Sequence, residues 1–276
     1  MIPPQPVLVV DLFPELLVAL RDLLSGLSDA EWRQPTVCAG WSVKDVALHL
    51  LGGEIGNLSR RRDGLTTAEA PIYSWQELVA TINDWNESWI HASRRISPPV
   101  LIDLLELTGR QLYNYFRTLN PYALGSPVSW AGPQPAPLWL DVAREYTERW
   151  HHQQHIRDAV SRPGMKQPRY LAPVIATFAW ALPQAYHTFQ AAEQTCLTMT
   201  ITGEAGGRWS IVREGQEWVL YQGAPDQPAA EVLLAADLAW RLFTRGIPQD
   251  AAQRQITVLG DPGLGWKVLD MVSIIA

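Results

Sequence analysis

Apolar residues recur at intervals of three and four up to about residue 160, and in short alternating runs after it. The first pattern predicts amphipathic helices, the second strands. A first helix is expected from Leu12 to Leu27, with Pro14 in its first turn, where no backbone N–H is required. Ser28-Asp29-Ala30-Glu31 reads as a capping box opening a short helix that Pro35 ends. Ser42-Val43-Lys44-Asp45 caps the next helix, expected to reach Arg62. Val43, Val46, Ala47, Leu50 and Leu58 form its apolar face, and His49 sits at the flank. Ser74-Trp75-Gln76-Glu77 reads as a third capping box opening a helix to about Ile96, and a further helical run follows Pro98-Pro99 to about Leu119. The proline-rich stretch 120–137 is expected as a long loop. Leu138 to Val160 is then a helix with Trp139, Ala143, Tyr146 and Trp150 on one stripe.

Ser161-Arg162-Pro163-Gly164 and Gln167-Pro168 mark a linker. Beyond it a helix is expected over about Pro173 to Ala191, then strands at Cys196 to Thr202, Trp209 to Arg213, Trp218 to Gln222, Glu231 to Ala235 and Gln255 to Leu259. A helix from Asp237 to Arg245 lies among them, and a last one follows Gly260-Asp261-Pro262-Gly263. The expected plan is a helical bundle over 1–165 and a smaller α+β domain over 166–276.

The chain has 276 residues, enough for two domains, and its 47% apolar and 18% charged residues describe an ordinary globular protein. A net charge of −6 with no long basic run argues against a nucleic-acid partner. No apolar stretch approaches the length that spans a bilayer, and the first residues lack the basic region of a signal peptide. Two cysteines, Cys38 and Cys196, suit a reducing compartment, so a cytoplasmic protein with no membrane partner is expected. Thirteen Trp call for deep cores or broad pockets.

Candidate chemistry concentrates in Glu148-Arg149-Trp150-His151-His152-Gln153-Gln154-His155, which holds three of the six histidines. Each helical residue advances by about 100°, so Glu148, His152 and His155 share a face, with His151 to one side. That face lies roughly opposite the Trp139–Trp150 stripe, so its side chains are expected to point away from the main packing seam. One carboxylate and two imidazoles could hold a divalent metal with a ligand from elsewhere. His91 lies beside Arg94 and Arg95, and His187 follows the linker, which leaves His49 on a neighbouring helix. Spacing alone leaves open an ordinary solvated surface, and also a register built on His151 and His155.

Pro35-Thr36-Val37-Cys38-Ala39-Gly40-Trp41-Ser42 through His49-Leu50 resembles a signature of the DinB-like superfamily, in its mycothiol-dependent maleylpyruvate isomerase branch. Glu148 to Arg157 resembles that branch's second signature. The resemblance implies a DinB-like four-helix bundle followed by a sterol-carrier-protein-like α+β domain. It implies His49, Glu148 and His152 as metal ligands, favouring His152 over His151. His155 stands where that branch often has Asp, as an accessory group or an extra ligand.

The implied cofactors are a divalent metal, Zn²⁺ first and Ni²⁺ or another ion as alternatives, and a low-molecular-weight thiol such as mycothiol. The implied partners are that thiol and a small electrophilic substrate. Coordination would turn the thiol into a nucleophilic thiolate for isomerisation or S-transfer. A hydrolase with a metal-bound water, using His155 or Glu54 as base, is the alternative enzyme. A non-catalytic metal- or ligand-binding protein is the other. Cys38 could face the site, with a structural role as the plainer reading.

Overall fold

A computed structural model of the chain describes residues 1–66 and 74–274. Two compact units result, neither continuous along the chain. One comprises Val9–Asn120 and Glu148–Met165; the other comprises Met1–Leu8, Pro121–Thr147 and residues 166–274. Helical and then mixed α+β architecture is the observed plan, as the hydrophobic pattern predicts.

The helical unit contains α1 (Phe13–Ser25), α2 (Asp29–Trp32), α3 (Val43–Asn57), α4 (Trp75–Ser93) and α5 (Pro98–Phe116). Of the three expected caps, full capping boxes form at α2 and α3, where Ser28 and Ser42 accept from the N3 amides and Glu31 and Asp45 reach back, and at α4 the Ser74 hydroxyl accepts from the Glu77 amide at 3.1 Å. α3 continues as a π-helical turn over Leu58–Arg62, which ends where the expected helix ends. Its core comes from Val43, Val46, Ala47, Leu48, Leu50 and Leu51, packed with Leu20, Leu24, Leu101, Leu105 and Ile156. Leu48, Leu51 and Leu101 are fully buried, each worth about 1.5–3 kcal/mol relative to exposure. α3 and α4 approach closely because Gly52 has no Cβ; one would stand 2.6 Å from Trp89 Nε1. The same Trp89 Nε1–H donates to the Leu48 carbonyl at 2.7 Å.

Stretch 120–137 departs from the expected loop. Leu124–Pro127 (β1) and Pro135–Pro137 (β2) pair antiparallel, with Leu124 opposite Pro137 and Pro127 opposite Pro135. Proline removes a donor, so such a ladder is confined to a short, irregular two-stranded ribbon. α6 (Leu138–Ala159) follows directly and belongs to the second unit up to Thr147, to the helical unit from Glu148.

The second unit is built on a five-stranded sheet. Its strands are β3 (Cys196–Thr202), β4 (Gly207–Glu214), β5 (Glu217–Gln222), β6 (Ala230–Ala235) and β7 (Thr257–Gly260), in the order β5-β4-β3-β6-β7. β3 and β6 are parallel and the other pairs antiparallel, so the sheet is mixed. The helices are α7 (Pro168–Phe178), α8 (Leu182–Tyr186), α9 (Ala236–Phe243), α10 (Gln249–Gln253) and α11 (Pro262–Trp266). The helix expected to begin at Pro173 begins instead at Pro168 and carries Pro173 inside it. Pro168 and Pro173 are both prolines with helical φ; only the first sits where the missing N–H has no intrahelical partner. No helix among the described residues is long and apolar enough to cross a membrane.

Candidate metal centre

Two local structures aim the ligands. In the first, the loop before α3 closes on itself. Thr36 N–H and its hydroxyl both donate to the Trp41 carbonyl, at 3.0 and 2.9 Å, and Trp41 N–H donates to the Cys38 carbonyl at 3.0 Å. Cys38 N–H donates in turn to Thr36 Oγ1 at 3.2 Å. Gly40, at φ +78°, takes the left-handed turn that a side chain would resist. Asp45 then anchors the start of α3: Arg94 Nε–H donates to Asp45 Oδ1 at 2.8 Å. Burial raises the Asp45 carboxyl, but hydrogen bonds from Arg94 and Ser42 hold it below its ordinary value. His49 lies beyond this anchored turn, with its ring 5.1 Å from that of Trp41.

The second is α6 from Glu148 onward, whose register is pinned by polar side chains. Trp150 Nε1–H donates to the Met165 carbonyl at 2.7 Å, Gln153 Nε2–H to Leu16 at 3.1 Å, and Gln154 Nε2–H to Gly164 at 3.1 Å. Arg157 reaches the Ala19 and Arg162 carbonyls. This corrects the expectation that the Glu148/His152/His155 face points away from the packing. His151, His152, Gln153, Gln154 and His155 are all buried, as Trp150 is on the opposite side. Periodicity scores these side chains as a solvent face, but main-chain carbonyls satisfy the amides, which makes their burial tolerable.

At this place three ligand atoms converge. His49 Nε2–H donates to Glu148 Oε1 at 2.9 Å, and His152 Nε2 lies 3.2 Å from the same oxygen. One nitrogen from each histidine and a Glu148 oxygen all lie within 4.8 Å of one another. The side chains of His49 and His152 are 13% and 10% exposed, and that of Glu148 is 31% exposed. Two imidazole nitrogens and one carboxylate oxygen suit a borderline divalent ion, and three protein ligands leave coordination positions over. The residues therefore fit a divalent metal.

Burial pushes the Glu148 carboxyl up, but the His152 imidazole, hydrogen bonds from His152 and His49, and the His151 ring hold it well below the usual carboxylate range. Burial lowers His152, against the raising effect of Glu148. Both shifts favour an ionised carboxylate beside a neutral imidazole, the forms that ligate metals.

The remaining candidates separate. His155 Nδ1 lies 3.3 Å from Cys38 Sγ. Burial pushes the Cys38 thiol up to about 11, with a smaller push from Glu148 and an opposing hydrogen bond involving Thr36. His151 packs its ring 4.2 Å from that of His152. Glu54 accepts from Thr108 at 2.5 Å and faces Arg149 Nε at 3.5 Å, as a buried counter-ion. His91 ends α4 exposed, His187 caps its own turn on the Gln184 carbonyl, and Cys196 is buried in β3. The contact of Cys38 with His155 is the feature that sequence reasoning left unassigned; 117 residues separate the pair.

Known proteins resemble this chain in sequence family and in fold. The family described as the mycothiol maleylpyruvate isomerase N-terminal domain matches residues 13–157. Two crystal structures are similar over 90% of this chain and 90% of theirs: a mycothiol-dependent maleylpyruvate isomerase, at 17% identity and a TM-score of 0.54, and a histidine-to-alanine mutant of that isomerase, at 16% and 0.55. At such identity the likeness is one of fold. No curated protein matches the sequence.

Proposed function

The chain belongs to the mycothiol maleylpyruvate isomerase N-terminal domain family, and on that premise we propose that it is a metal-dependent enzyme using a low-molecular-weight thiol on a small electrophilic substrate. One observation carries the reading: His49 from α3 meets Glu148 and His152 from α6 with ligand atoms within 4.8 Å of one another. A divalent ion there, Zn²⁺ by preference, would act as a Lewis acid and lower the pKa of a coordinated thiol.

The chain's own residues have definite tasks in this reading. His49 and His152 would offer ring nitrogens to the ion, and Glu148 would supply the single negative charge. Trp150, Gln153 and Gln154 hold α6 in register. Trp41, half-buried against the His49 ring, forms part of the wall beside the ligands. Addition of a thiolate to an activated double bond, rotation and elimination is the isomerisation this supports, with S-transfer as the related outcome. Thiolate attack needs no side-chain nucleophile, which accords with a Cys38 thiol pushed up to about 11.

The test is turnover of unsaturated dicarboxylates and other small electrophiles by metal-loaded protein, with and without added mycothiol or a simpler thiol. Product is expected only with thiol present, and chelation should abolish it. Product formed equally well without thiol would sink the proposal in favour of hydrolysis.

A further inference from the structure

Beside the first set of ligands the helical unit holds another. Cys38 Sγ, a His152 nitrogen and a His155 nitrogen also lie within 4.8 Å of one another. Cys38 and His155 already meet at 3.3 Å through Sγ and Nδ1. His152 takes part in both groups, and its two nitrogens are differently engaged. Nε2 lies 3.2 Å from Glu148, whereas Nδ1 is buried with no hydrogen-bond partner among the described residues. A buried polar atom left without a partner is costly, and it marks a place where a ligand would be stabilised.

We propose that Cys38, His152 and His155 form a second, softer metal position beside the His49–Glu148–His152 position, selective for thiophilic ions. The first position offers two nitrogens and an oxygen, the second two nitrogens and a sulfur. A thiolate shifts preference towards Cd²⁺ and Cu⁺ and away from oxygen-seeking ions, while borderline ions such as Zn²⁺ and Co²⁺ are accepted at either position. On binding, the S–H bond breaks, the S–metal bond forms, and the proton leaves to solvent. Each set then carries one negative charge, from Glu148 in the first and Cys38 in the second.

Simultaneous occupation would require His152 to bridge as an imidazolate, which means removing a second ring proton. The two positions are therefore alternatives that share His152, and one ion per chain is held at either. A soft ion settles on the Cys38 side and a harder one on the Glu148 side. The loop that carries Cys38 is tied by Thr36 and Trp41 to the start of α3, so the sulfur is held in place by the same turn that leads to His49. This inference concerns metal selectivity and is independent of whether an external thiol is used.

Cobalt(II) is a direct probe, because a cysteine thiolate bound to it gives a strong near-ultraviolet charge-transfer band that nitrogen and oxygen ligands do not. Chelator-stripped full-length protein should bind one equivalent of Co²⁺ and show this band. Cys38→Ser and His155→Ala should each lose the band while keeping the weaker visible bands of an ion at the first position. His49→Ala should do the reverse, keeping the charge-transfer band. Circular dichroism identifies any variant that has failed to fold, and Cys196→Ala controls for the other thiol. Absence of the band in wild type, or its survival in folded Cys38→Ser or His155→Ala, would overturn the proposal. Loss of thiol-dependent turnover with the band intact would fault only the proposed reaction.

Discussion

His49 Nε2 lies 2.9 Å from Oε1 of Glu148, although 99 residues separate them. The pair joins α3 to α6 by one charge-assisted contact, and His152, one turn along α6, reaches the same carboxylate oxygen. The carboxylate is thus the point on which both imidazoles converge.

Glu148→Gln and His49→Ala, each made in a Cys38→Ser background, are expected to weaken Zn²⁺ binding by more than about 100-fold. Removing a group that merely orients a ligand costs about 10- to 100-fold, and direct ligands should exceed that. Competition against a chromophoric chelator measures the affinity. Unchanged binding in both variants would show that the ion sits elsewhere.

The chelator-stripped protein should lose stability in two steps as the pH falls. Burial and its other surroundings leave His152 below its ordinary 6.5, and Glu148 lies well below its ordinary 4.5. A depressed folded pKa contributes stability that is complete above the unfolded value and lost as the pH falls through the folded one. The first loss should therefore begin below pH 6.5 and the second below pH 4.5. Urea midpoints across this range check the sign. His152→Gln should flatten the upper limb; a midpoint that rises on acidification contradicts the assignment.

Glu54→Ala should destabilise the helical unit by about 1–3 kcal/mol, since it removes the buried acceptor of the Thr108 hydroxyl and a carboxylate that faces Arg149. The side chains of Arg149 and Glu54 are 9% and 4% exposed. Metal stoichiometry should be unaffected in whatever fraction remains folded. The double change Glu54→Leu with Arg149→Met should recover part of the loss in chemical unfolding, because both members of the buried pair are then replaced by apolar groups.

Ser42→Ala should cost about 0.5–2 kcal/mol through loss of the α3 cap. Ser42→Gly should cost less, because glycine leaves the first-turn amides open to water. Equal costs would mean that the hydroxyl contributes little.

Much of this protein is legible residue by residue. Ser28 and Ser42 open helices where their capping boxes predict, because a cap is a contact between residues three apart. Cys196–Thr202 is a strand to the residue, bounded by local turn chemistry on both sides. Glu148 and His152 share a helical face through four-residue spacing, which needs no tertiary information. The family motifs add His49 to them, and the fold brings it there. Less was legible where distant backbone decides the outcome. The ribbon of β1 and β2 hid behind its prolines, since proline argues against a strand wherever its ladder partner is unseen.

The sequence by itself determined the helices, their caps, the strands and the Glu148–His152 pair, because each depends on interactions within a few residues. Tertiary structure alone decided that both faces of α6 are buried, since that depends on carbonyls of Leu16, Ala19 and Met165 arriving from elsewhere. It also decided that Cys38 meets His155. Periodicity assigns a side chain to a face of its own helix; what the face meets depends on how the chain closes over a hundred residues.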